Sequence, residues 1–369
     1  MQWLSILTKK KAMRKFSAIL IGLALSGGPV FCQTVNLPRP SPAGEASQTI
    51  GISTVTVNYS RPSVKGRPVW GTLVPYGWNK QGFGAGNDAP WRAGANENTV
   101  LQLSDPATIQ GHQVPAGRYG LFFVINADIN TGVVVLSKES RSWGSFWYDP
   151  KQDEMRENIT LKPGPFVEQL TYDFQNVTDH SADLVLSWEK LQFPVSIEFD
   201  TKNIVMANAA QQLKGQTGFN WTGYASAANY ALTVKSYDTA LVWVNQAINQ
   251  NSNFTDLSIK SQLLKAMGKP GDASAVMQDA LKVGSENEVN NYGYQLLQQN
   301  QQDDAIAIFI LNTQRHPESA NVFDSLGEAY ALKGDKKNAI INFKKSLSLN
   351  PPEATKANSE KYLKQLGAL

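Results

Sequence analysis

Phe323-Asp-Ser-Leu326-Gly327-Glu-Ala-Tyr330, continued by Gly334, Ala339, Phe343 and Pro351, is the stretch that decides the second half of the chain. Its landmarks recur one unit earlier as Gly293, Ala305, Phe309 and Pro317, each 34 residues before its counterpart. The alanine reappears further back at Ala273 and Ala240. Four residues after each alanine stands a larger apolar side chain: Val244, Met277, Phe309 and Phe343. Small Gly327 and Ala339 let two antiparallel helices approach, large Tyr330 and Phe343 fill the space beside them, and the proline ends the second helix. One such hairpin cannot bury its apolar face alone, so units must stack. The spacing predicts about four units over 220–353 and a polar-faced capping helix over 354–369.

This pattern resembles the tetratricopeptide repeat family. The resemblance implies an array that docks a protein or peptide partner. First-helix residues Asn287, Asn290, Tyr294, Asn321, Asp324 and Glu328 are expected on its concave face. That neutral-to-acidic groove would suit a basic or apolar segment. The alternative is an array that serves only as a spacer.

Working toward the N-terminus, the period changes near residue 200. Thr54–Tyr59, Thr99–Leu103, Tyr119–Ile125, Val133–Leu136, Val167–Phe174, Ala182–Trp188 and Val195–Phe199 alternate polar with β-branched or aromatic residues and read as strands. Turn residues separate them, including Pro115-Ala-Gly117 and Asn130-Thr-Gly132. No helical stretch intervenes, so residues 37–200 are predicted to form an antiparallel β-sandwich or open barrel. Lys214-Gly-Gln-Thr-Gly218 reads as a helix stop within a linker over 201–219 that holds a short helix. The fold expected is therefore β plus α in separate domains.

The N-terminus adds an export signal. A basic run (Lys9, Lys10, Lys11, Arg14, Lys15) precedes the apolar stretch Phe16–Leu25, too short for a stable transmembrane helix. Residues 1–32 are expected to be removed by cleavage after Cys32, with Met13 an alternative start to Met1. An uncut membrane anchor and a lipid-anchored Cys32 are the rival readings; bulky Phe31 disfavours the second. Removing the segment leaves 29 basic residues against 31 acidic ones, so the basic balance of the whole chain belongs to the signal and gives no support for nucleic-acid binding. It also removes the one cysteine, and with it any disulfide, thiol nucleophile or Cys-based zinc site. The exported chain is expected in the periplasm, on the cell surface or secreted, with no transmembrane segment.

Pro38-Arg-Pro-Ser-Pro42, Tyr59-Ser-Arg-Pro62, Lys65-Gly-Arg-x-Val-Trp-Gly71, Leu73-Val-Pro-Tyr-Gly77 and Trp91-Arg-x-Gly-Ala-Asn-Glu97 carry a second resemblance. Pro115–Leu121, Trp143-Gly144, Tyr148-Asp149 and Leu186-x-Trp-Glu-Lys190 extend it. Together they resemble an exported bacterial family defined as domain of unknown function 2911, whose members often precede helical repeats. The resemblance implies no activity, cofactor or catalytic residue. This chain departs from the family by inserting Trp78 to Pro90, with Gly82, Gly84 and Gly86, ahead of the Trp-Arg string.

Trp91–Glu97 is the most unusual local string, because it puts an aromatic, a guanidinium, a carboxamide and a carboxylate into one turn. One reading is a ligand pocket, with Trp91 as platform, Arg92 and Glu97 as polar clamps, Asn96 between them, and Trp143 and Tyr148 completing it. Six of the nine tryptophans lie between Trp70 and Trp188, which would suit a glycan ligand. The other reading pairs Arg92 with Glu97, bonds Asn96 to its own turn and spends the tryptophans on a helix-free core. His112 and His180 fall in turns without metal-ligand spacing, and no G-x-S-x-G elbow frames a serine. No metal, cofactor or catalytic residue is assigned. The function expected is an exported binding and scaffolding protein. The rival is an envelope hydrolase acting on glycans at Trp91–Glu97.

Overall fold

Val55, Val57 and Tyr59 alternate with polar neighbours, and the alternation puts all three on the inner face of strand β2 (Ser53–Ser60). The computed structural model describes residues 37–369, so the expected export signal lies outside the described residues. Strand β2 belongs to a six-stranded antiparallel sheet in the order β1 (Ala43–Ile50), β2, β5 (Thr99–Leu103), β8 (Gly117–Ile125), β9 (Thr131–Ser137), β10 (Asp153–Thr160). A second sheet runs β11 (Lys162–Gln175), β12 (Ser181–Phe199), β6 (Ala107–Ile109), β7 (His112–Val114). A small hairpin, β3 (Asn79–Lys80) with β4 (Asp88–Ala89), falls inside the 78–90 insertion. Leu101, Phe123 and Leu136 from the first sheet share one apolar core with Leu170, Leu186 and Phe193 from the second. Neither sheet closes on itself, so the β half is an open, layered antiparallel structure with no closed barrel.

Two sheet edges escaped the periodicity reading. Strands β1 (AGEASQTI) and β10 (DEMRENIT) carry few apolar residues because each covers the core from a sheet edge, where polar side chains also discourage further strand pairing. The two strands expected at 182–188 and 195–199 are one, β12. It pairs with β11 along its first part and with β6 at Ile197–Phe199, bending at Glu189, whose φ is +54°.

Helix α1 (Thr201–Gln212) follows β12 directly, capped by the Asp200 carboxylate accepting from the Asn203 N–H at 3.2 Å. The expected linker is thus a packed element: Ile204 lies on the β core, while Met206 and Ala209 join the first helical cluster. Four hairpins follow: α2 (Trp221–Thr233) with α3 (Tyr237–Gln250), α4 (Phe254–Ala266) with α5 (Pro270–Val283), α6 (Glu286–Gln298) with α7 (Gln302–Arg315), and α8 (Ala320–Lys333) with α9 (Lys336–Ser348). Helix α10 (Glu353–Gln365) lies over the last of them, with Tyr362 stacked on Phe343 at 5.0 Å. No described helix is long and apolar enough to cross a membrane.

The landmarks are buried for the reason their sizes suggest. A Cβ at Gly327 would sit 2.9 Å from the Phe343 ring, and one at Gly293 would sit 2.6 Å from the Phe309 ring. The same period also aligns a polar series along the first helices: Asp256, Asn290, Asp324 and Asn358, each 34 residues from the next. Asp256 is fully buried and its Oδ1 has no partner. Burial pushes its carboxyl up to about 6, against the lowering effect of the hydrogen bond from Asn253. The folded pKa therefore exceeds the unfolded value of about 3.9, so the folded chain binds this proton more tightly and stability is lost as pH rises through that interval. Asp256→Asn should remove this loss. Its stability relative to wild type is expected to rise by about 2 kcal/mol between about pH 4 and pH 7. A difference that stays constant across that range in thermal melts would contradict the assignment.

Candidate functional site

Trp91 is held by its backbone, whose N–H and C=O each bond Phe123 on β8, at 2.8 and 2.9 Å. The chain then folds into a tight turn with left-handed backbone at Ala93 (φ +53°) and Asn96 (φ +59°). Alanine adopts that conformation at a cost, so the surroundings must enforce it. The Thr99 and Tyr172 hydroxyls both donate to the Ala93 carbonyl, at 3.1 and 2.9 Å. Asn96 Nδ2 donates to the Ser41 carbonyl and the Ser60 hydroxyl, at 3.2 and 3.3 Å. Gly94 leaves room for this pinning, since a Cβ there would meet Thr99 Oγ1 at 2.8 Å.

The pinned turn forms one wall of an open cavity of about 490 Å3. Trp91 stacks on Trp188 (5.9 Å between centroids, planes 15° apart), and Trp70 sets its edge against both, at 5.9 and 5.7 Å. The Arg92 guanidinium lies over the Phe146 ring at 5.0 Å and against Gly144, where a Cβ would come within 2.3 Å of it. Among the described residues its one hydrogen bond runs from Nη1 to the Asn96 carbonyl, at 2.7 Å. Burial pulls the Arg92 pKa below its ordinary value, yet an arginine stays charged. Among the described residues no Asp or Glu lines the cavity, and Arg67 adds a second guanidinium to it.

The structure brings three of the six expected ligand residues together: Trp91, Arg92 and Asn96. Glu97 does not join them, and the expected Arg92–Glu97 pair does not form. The left-handed turn at Asn96 gives Arg92 a backbone carbonyl instead, and Glu97 pairs with Arg39 at 2.7 Å, both side chains about half exposed. Burial acts to raise the Glu97 carboxyl, but its backbone hydrogen bond, Arg39 and Ser60 hold it below the usual range. An exposed pair of this kind contributes little. Glu97→Gln is therefore expected to shift stability by less than about 0.5 kcal/mol, read from urea unfolding; a loss above about 1 kcal/mol would show a buried role that the geometry lacks. Trp143 is exposed outside the cavity, on the loop that places Gly144 against Arg92. Tyr148 is buried behind it, donating to Asp153 at 2.6 Å and accepting from Arg156 at 2.8 Å. His112 opens β7 and lies 3.4 Å from Glu157, and His180 contacts Asp179 in an exposed turn. Among the described residues no His, Cys, Asp and Glu cluster is placed to hold a metal ion.

Sequence reasoning missed Trp188, Arg67 and Gln81 as cavity residues, although a signal was present. Strings that carry the family resemblance converge here: Ser41 from 38–42, Pro62, Arg67 and Val74 from neighbouring strings over 59–77, and Trp188 from 186–190. The 78–90 insertion adds Asn79 and Gln81 to the rim.

In the array, the residues expected on an open concave face are largely consumed internally. Asn290 and Asp324 are buried. Asp324 accepts from Asn358 Nδ2 at 2.8 Å and from the Ser359 hydroxyl. Glu328 accepts from the hydroxyls of Tyr294 and Tyr362, at 3.0 and 3.1 Å, and Asn321 donates to Glu286 at 3.3 Å. The 34-residue period is the reason: it sets equivalent positions of successive first helices beside each other, so these groups fasten unit to unit. Burial raises the pKa values of Asp324 and of Tyr362, the latter to about 12. Asn287 alone of the six is exposed. The open feature lies elsewhere, in a cleft of about 750 Å3 between the second and third hairpins. Met277, Leu281 and Ile308 give it apolar surface, and Gln262, Gln278, Gln295 and Gln299 line it with amides that make no side-chain hydrogen bond among the described residues.

Residues 41–197 match the model of the family described as "Protein of unknown function (DUF2911)". Among solved structures, the chain is similar to YrrB, described as a TPR protein with an unusual peptide-binding site, at 19% identity and TM-score 0.28 over 44% of this chain and 89% of that one. It is also similar to PilF of Pseudomonas aeruginosa, at 20% identity and TM-score 0.28 over 41% and 71% of the two chains. A third likeness, to MamA, has 16% identity and TM-score 0.28 over 41% and 89%. No curated protein matches the chain. The repeat architecture stands on this chain's own period and packing.

Proposed function

We propose that this chain, a DUF2911 β domain followed by a tetratricopeptide-type array, is an exported binding and scaffolding protein. The β half holds a small ligand in the Trp91–Arg92 cavity while the helical array docks a protein segment. The observation that carries this reading is the cavity itself. Its volume is that of a ligand site, its wall is pinned by strained backbone, and it joins the stretch 62–96 to Ser41, Ser145 and Trp188. Export rests on the basic run and apolar stretch of the first 25 residues. The glutamine-lined cleft supports docking of an extended segment, because each free amide offers one donor face and one acceptor face to a peptide backbone.

The rival reading, glycan hydrolysis, needs two carboxyl groups flanking the scissile bond. Glu97 is outside the cavity and no second carboxylate faces it, so the geometry favours holding a ligand over cleaving it. Co-sedimentation with insoluble bacterial cell-wall glycan, assayed in parallel for new reducing ends, distinguishes the two. Retention without new ends is the expected result. Steady release of reducing ends would establish the hydrolase, and no retention at all would remove the glycan from the reading.

A further inference from the structure

Among the described residues Arg92 is a half-buried cation with no counter-charge, and of its five N–H donors one is used there, on a neutral carbonyl. Several polar groups near it are engaged within the protein, whereas the Arg67 Nη1 donors and the Gln81 amide make no hydrogen bond among the described residues. Asn96 Nδ2 is bonded to Ser41 and Ser60, Ser145 Oγ to the Pro90 carbonyl, and Arg67 to the carbonyls of Val64 and Ser63. Removing a guanidinium from water without an anion is costly, and charge-assisted bonds to a carboxylate are the strongest compensation available to it. The ring beneath it continues outward as an aromatic shelf. Phe83, from the glycine-rich insertion, sets its edge against Phe146 at 5.8 Å and Trp147 at 5.7 Å, and both Phe83 and Trp147 are exposed. Gly84 permits this contact, since a Cβ there would lie 2.0 Å from the Phe146 carbonyl oxygen.

We infer that the cavity is specific for an acidic sugar, whose carboxylate is taken by the free edge of Arg92 and whose adjoining ring lies on the Phe83–Trp147 shelf. This rests on the reading of the cavity as a ligand site and adds the ligand's charge and shape. The insertion supplies Phe83 of the shelf and Gln81 of the cavity, so it contributes to the specificity of the site. The charge of Arg92 makes an uncharged sugar the poorer ligand, because the guanidinium would remain without an anion while losing water.

The test uses the full chain and tryptophan fluorescence, titrating trigalacturonic acid and, separately, its fully methyl-esterified form. The acid is expected to bind at least about tenfold more tightly than the ester, the factor that one charge-assisted hydrogen-bonded contact supplies. Arg92→Gln should reduce binding of the acid by about tenfold or more and so abolish the preference for the acid over the ester. Gln81→Glu, which leaves Arg92 and its packing intact, should weaken the acid selectively by placing a like charge in the cavity, and it keeps the test decisive if Arg92→Gln does not fold. Equal binding of acid and ester, or of wild type and Gln81→Glu, overturns the specificity and leaves the ligand site standing. Binding of neither sugar overturns the specificity for acidic sugars and withdraws its support from the site as well.

Discussion

Trp188→Ala is expected to cost the β half about 3–5 kcal/mol, the range for removing a fully buried large aromatic side chain. Trp188 is only 1% exposed and packs against Trp70 and Trp91, both of which also contact Phe193. Truncation would leave a void bordered by rigid strands and by two rings that are themselves held in place. Its indole N–H is buried with no acceptor, so part of the native interaction energy is already offset by an unpaired donor. Trp188→Phe removes that donor and keeps a ring, and should cost less than about 2 kcal/mol. Near-UV circular dichroism reports the tryptophan cluster directly, while the signal at 222 nm follows the helices. A Trp188→Ala midpoint within about 1 °C of wild type in the near-UV would refute the packing role, since 3–5 kcal/mol in a unit of this size moves the midpoint by several degrees. The same experiment tests how far the two halves melt separately across α1, which packs on both.

Phe309→Ala is expected to have an effect of similar size on the array, about 3–5 kcal/mol, and to spread it further. Phe309 is fully buried, with Gly293 at its face and Tyr294 edge-on at 5.2 Å. It stands in the third of four hairpins, so its loss weakens the joint between the first half of the array and the last. In a stack where each unit is stabilised by its neighbours, a central break should separate the helical melt into two transitions. Gly293→Ala attacks the same contact from the other side, since its Cβ would start 2.6 Å from the ring. Combining Gly293→Ala with Phe309→Leu should cost less than the sum of the two changes, because the smaller side chain relieves the clash. Additive costs in urea unfolding would mean that the pair does not act as one contact.

How much of this was legible in the chain differs between the halves. The array was readable almost residue by residue, because a helical repeat packs each unit against its sequence neighbour and the spacing of Ala339, Phe343 and Gly327 is itself the packing rule. Core strands β2, β5, β8 and β9 were readable for a similar reason, since alternation maps onto an inner and an outer face. Edge strands β1 and β10 were not, because a strand that covers little core needs little apolar alternation. Polar residues were read least well. Asp324 and Glu328 looked like a groove because sequence shows a polar residue on a first helix but not the equivalent residue one unit away that consumes it.

The Trp91–Glu97 string by itself determined where to look. It puts an aromatic, a cation, an amide and an acid into one turn, and Trp91, Arg92 and Asn96 do reach the cavity. Tertiary structure alone decided the partners, since these are set by chain segments up to a hundred residues distant. Glu97 goes to Arg39, Trp91 stacks on Trp188, and the insertion closes one rim through Gln81. Hydrogen bonds and ion pairs of a few ångströms depend on backbone direction at single residues. The left-handed conformation of Asn96 is one such decision: it gives Arg92 a neutral carbonyl in place of the expected carboxylate and leaves the cation facing the cavity.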